Sequence, residues 1–92
     1  MISTVKGTAT AVLIPGDSKV CFRGITAWEN GTGITVRVQD ADGLRDLIAP
    51  LQLSTGEGSG GVLLPFGVPV DGIKVVVEAG GGEFIVYYER IK

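Results

Sequence analysis

The stretch IKVVVEAGGGEFIVYYER, residues 73–90, decides the fold. Two runs rich in β-branched and aromatic residues, 73–78 and 83–90, flank Gly80-Gly81-Gly82, a composition that makes two strands and a hairpin turn and no helix. Both runs are apolar on both faces, which suits a central position or a contact between subunits. Working outward, Ile34, Val36 and Val38 fall on one face of a strand, with Thr35, Arg37 and Gln39 on the other. Residues 8–14 and 20–28 give two further strands, and in the second Phe22, Gly24, Thr26 and Trp28 are expected to share a face.

Turn chemistry punctuates the chain at strand-length intervals: Pro15-Gly16-Asp17-Ser18, Asn30-Gly31-Thr32-Gly33, Asp40-Ala41-Asp42-Gly43, residues 55–61, residues 69–72 and the three glycines above. About seven strands fit between these clusters. The expectation is an all-β, compact antiparallel β-sandwich (jelly-roll or immunoglobulin-like) without significant helix, because two packed sheets bury such faces most simply. Residues 42–51 are ambiguous. Leu44, Leu47, Ile48 and Leu51 have helical spacing, but Pro50 limits any helix to under two turns and favours a strand or irregular edge. Residues 54–61 read as an exposed loop.

At 92 residues the chain has room for one core, so residues 1–92 are expected to form a single domain. Residues 1–6 alternate in character, and no turn ties them back before Pro15. They are therefore expected to be an extended N-terminal arm that can pair with a neighbour's sheet edge. No cationic start and apolar block of a signal peptide opens the chain, and the apolar runs fall far short of the roughly 20 residues that cross a bilayer. Synthesis in a cytoplasm and no membrane partner are expected.

Histidine is absent, which removes the commonest general base, the usual partner of a nucleophilic serine and most metal sites. Asp40 and Asp42 lie within one tight turn and cannot straddle a scissile bond. The same segment begins like a calcium loop, but Leu51 stands where the bidentate glutamate belongs. Residues 56–61 lack the lysine of a phosphate-binding loop. Cys21 is the only cysteine, so an internal disulfide is excluded, and a buried inert thiol is expected despite Arg23 nearby. A formal charge of −2 with scattered basic residues argues against nucleic acid. A non-enzymatic chain without cofactor is expected. Trp28, Tyr87 and Tyr88 are expected in core or interface, with a sugar-stacking platform as the alternative.

Three stretches, CFRGITAWE (21–29), VRVQDADG (36–43) and FGVPVDGIKVVVE (66–78), resemble the small virion proteins of tailed phages. In those proteins an R-G step leads to an Asp-Gly turn. A P-x-G-x-x-x-x-G-(I/L)-x-V-x-V stretch and a closing V-x-Y strand follow. Pro65, Gly67, Gly72, Ile73, Val75 and Val77 match this pattern, and Val86-Tyr87-Tyr88 closes it, whereas residues 46–50 and the glycine loop depart from it. The resemblance implies a capsid decoration or cement protein on the virion surface, a homo-oligomer, commonly a trimer, bound to the major capsid protein. A tail or fibre module that binds a receptor or carbohydrate is the alternative. Interface composition singles out Met1, Ile2, Val5, Phe66, Tyr87 and Tyr88 as contact residues.

Overall fold

The computed structural model describes residues 1–91, and no helix occurs among them. Four strands, β1 (Ser3–Gly7), β2 (Ala11–Gln39), β3 (Leu51–Leu53) and β4 (Ser59–Arg90), form one antiparallel sheet in the order β1-β4-β2-β3. The all-β expectation holds, while the turn spacing that suggested about seven strands corresponds to four continuous elements. The reason lies in the two long strands. Drawn straight at about 3.3 Å per residue, the 29 residues of β2 would span roughly 95 Å, yet the longest dimension of the chain is 40 Å. Both long strands therefore double back, and the ladder between them continues through the corners.

The corners are the expected turns. Ile14 pairs with Ile73 and Lys19 with Asp71, so residues 15–18 of β2 round a corner opposite Gly72. Glu29 pairs with Gly82 and Ile34 with Gly80, so residues 30–33 do the same opposite Gly81. These two clusters bend β2 without ending it, as bulges do, whereas Asp40–Gly43 follows its end at Gln39. Doubling back also lets one segment pair twice: Val75 faces Ala11 on one side and Val38 on the other.

The core collects the inward positions of both long strands, with Phe22, Ile25, Val36, Val38, Ile73, Val75, Phe84 and Val86 fully buried. Burial of each such side chain contributes about 1.5–3 kcal/mol. The alternation at Ile34, Val36 and Val38 points inward as expected. The ambiguous segment is irregular, with an isolated bridge between Gln39 and Asp46, and ends in the short edge strand β3.

Two expectations are corrected. Residues 3–7 are not a free arm in the single chain. They form β1, paired from Ser3↔Tyr88 to Gly7↔Phe84 with the chain's own β4, because that strand offers an open edge with a matching apolar face. Nor do Phe22, Gly24, Thr26 and Trp28 share a face. Phe22 pairs with Tyr88 but Gly24 with Tyr87, so Arg23 is one extra residue and the parity of β2 flips there. Beyond it Ile25 and Ala27 point into the core, and Trp28 is 38% exposed.

Candidate functional site

The irregularity at Arg23 shapes the outer face of the sheet. On the far side of β2, Phe22 pairs with Val68 and Gly24 with Leu63, so residues 64–67 of β4 make a four-residue excursion opposite Arg23 alone. Thr4, Tyr87, Gly24 and Leu63 lie in register across the sheet, and the row has no side chain at Gly24. Gly24 is held there by necessity, since its φ is +150° and a Cβ would lie 2.3 Å from the Val62 carbonyl oxygen. The place of that side chain is taken by Leu63, whose Cδ2 would lie 3.0 Å from such a Cβ. Ile2, Thr4, Arg23, Leu63, Leu64 and Tyr87 line a groove of about 480 Å³ on this face, with a mainly apolar surface.

Polar contacts fix its walls. The Arg23 guanidinium donates through Nη1 to Glu89 Oε1, and through Nη2 to the Pro65 carbonyl oxygen at 3.3 Å, which pins the excursion against β2. The N-terminal ammonium lies 3.6 Å from the other Glu89 oxygen, bringing Met1 and Ile2 to the rim. Thr26 Oγ1 donates to Tyr87 Oη at 3.3 Å and orients that ring. Arg23 Nε is buried and has no hydrogen-bond partner among the described residues.

Ile2 and Tyr87, both anticipated as contact residues, line this groove. Phe66 stands 86% exposed on the excursion, two residues beyond Leu64, and Met1 is fully exposed. Val5 is half-buried and packs against the core. Tyr88 is the correction: at 8% exposure it belongs to the core, because Phe84, Val86 and Tyr88 alternate inward and leave Tyr87 outward. Leu63, Leu64 and Arg23 were not anticipated. The signal was present in VLLPF (62–66), an apolar run interrupted by a proline that cannot extend a ladder.

A second cleft of about 400 Å³ is mixed in character, with Lys19, Asp40, Asp42, Arg45 and Asp71 beside Pro69, Val70 and Ile91 in its lining. Asp40 serves the local turn: its Oδ1 accepts from the Leu44 amide at 3.0 Å, and its backbone carbonyl accepts from the Gly43 amide at 2.9 Å. Glu29 organises the loops at the opposite corner. Its Oε1 accepts from the amides of Gly31 (3.0 Å), Gly33 (3.3 Å) and Gly56 (3.2 Å), and these bonds, Gly56's foremost, hold the carboxyl below its ordinary value of 4.5. The amide of Gly56 is thus already engaged by a carboxylate.

Comparison with protein-family models gives no match for this chain, and comparison with curated proteins gives none either.

Proposed function

We propose that this chain is a non-enzymatic structural protein of a bacteriophage particle, a decoration or cement subunit that binds the outer capsid shell as an oligomer. The observation that carries the reading is the apolar groove with exposed Phe66 and Leu63 beside it. Contiguous apolar surface of this kind marks an interaction site. The reading takes the folded sheet as a two-layer sandwich of about seven strand segments, jelly-roll or immunoglobulin-like. Its partners are the major capsid protein and further copies of itself, with three copies the expected number.

The mechanism is physical. Each subunit lays apolar side chains across a joint between shell subunits, and the added contact area must be broken before the shell opens. The absence of histidine from the sequence agrees with a role that transforms no substrate. Quantitative mass spectrometry of the particle fraction tests the proposal. A copy number close to that of the major shell protein is expected. Absence from every particle overturns it.

The exposure of Trp28 favours one alternative, a tail or fibre module that stacks a sugar on the indole. A handful of copies per particle, with glycan binding lost in Trp28→Ala, would establish that reading instead.

A further inference from the structure

We infer that the groove is the docking site for Phe66 of a second copy of this chain. The inference rests on the assembly reading only in taking this face as the contact. Knob and groove are built by the same irregularity. Leu63 and Leu64 line the groove, and Phe66 follows on the excursion that Arg23 pins through the Pro65 carbonyl oxygen. That restraint holds the ring 86% exposed, outside the groove that its neighbours line. A phenyl ring is the occupant whose chemistry the chain itself supplies.

Area supports a second copy. Met1, Ile2, Leu63 and Phe66 are all exposed at the groove or its rim. Phe66 is the aromatic anchor among them, and such a ring brings about 150 Å² or more toward the ~800 Å² per partner of a standard interface. Charge does not oppose the contact, since the chain carries a formal −2 and the rim holds both signs, in Arg23, Glu89 and the N-terminal ammonium. An assembly that closes, as a two-fold dimer or a three-fold ring does, fills every groove and leaves no free knob.

Sedimentation of the purified chain, from about 1 to about 100 µM, tests the inference. The expected result is one finite oligomer. Phe66→Ala weakens it at least about 30-fold, as loss of an interface hot spot does, and leaves the β circular-dichroism spectrum unchanged. Leu44→Ala removes an equally exposed side chain (86%) from the Asp40–Arg45 turn and changes nothing. Leu63→Asp keeps the knob but spoils the groove. Mixed with Phe66→Ala, it forms a complex at about 100 µM that neither variant forms alone, because one intact knob then meets one intact groove.

A monomer throughout, open filaments, undiminished association of Phe66→Ala or no complex in the mixture overturns the inference. If Phe66→Ala leaves the particle yet still self-associates, the groove belongs to the shell protein and the inference fails while the particle reading stands. Self-association through Phe66 in a chain that joins no particle gives the opposite outcome.

Discussion

Replacing Gly24 by alanine tests the junction on which both the core and the groove depend. An added Cβ would lie 2.3 Å from the Val62 carbonyl oxygen and 3.1 Å from the Leu63 Cα, so backbone must move. The φ of +150° adds strain of about 1–3 kcal/mol for a residue with a side chain. Displacing residues 62 and 63 weakens ladder bonds on that side of β2, worth about 1 kcal/mol each. Together these cost about 3 kcal/mol or more, a large part of the roughly 5–15 kcal/mol that stabilises a domain. Thermal unfolding followed by circular dichroism reads this as a fall of about 12–24 °C. Gly31→Ala is the control, because Gly31 also has positive φ (+105°) but nothing within 4 Å of an added Cβ. It carries strain without the clash and unfolds at least about 8 °C above Gly24→Ala. If the two variants unfold within about 3 °C of each other, the clash is not what fixes glycine at this position.

Phe84→Ala removes a fully buried ring and lowers stability by about 3–5 kcal/mol in urea titration. Tyr88→Ala falls in the same range, while Tyr87→Ala, on the groove face, costs distinctly less; equal losses would contradict the assignment of Tyr88 to the core. Glu29→Gln probes the carboxylate that gathers three amides. Its folded pKa lies below the unfolded 4.5, so its contribution is full above about pH 4.5 and is lost as pH falls through the lower folded value. The unfolding temperatures of wild type and Glu29→Gln therefore differ at about pH 7 and converge toward about pH 3, whereas a gap that persists at low pH would show that the ionised carboxylate is not the source.

Residues 73–90 announced the all-β fold because local composition and turn chemistry agree there, and their apolar positions have nowhere else to go. Ile34, Val36 and Val38 were legible for the same reason. The number of strands was not. A cluster such as Asn30-Gly31-Thr32-Gly33 has the same composition whether it ends a strand or rounds a corner, and the difference lies in a partner segment, Gly80 to Gly82, far along the chain. The adjacent tyrosines 87 and 88 were equally opaque, since alternation assigns one to each face without saying which.

The groove was hidden by a single residue. Alternation has a period of two, so reading residues 20–28 without interruption places Trp28 with Phe22. An unpaired Arg23 reverses that assignment and brings Ile25 and Ala27 inward. Nothing in the composition of CFRG (21–24) marks the slip, because arginine and glycine are tolerated at ordinary outward positions. The slip nevertheless acts on both sides of β2. Toward residues 82–90 it costs one residue of register, and toward residues 59–71 it stands opposite the excursion that carries Phe66, where β4 has three residues more than β2. Continued without a slip from the Phe22↔Val68 pair, the ladder would set Arg23 opposite Gly67 and Gly24 opposite Phe66, drawing that ring into the sheet row. Instead Gly24 meets Leu63, and Leu64, Pro65, Phe66 and Gly67 are left outside the ladder. The exposed ring and the pinned excursion thus meet the slip at Arg23, where β2 has one residue more than residues 82–90 and β4 has three more than β2.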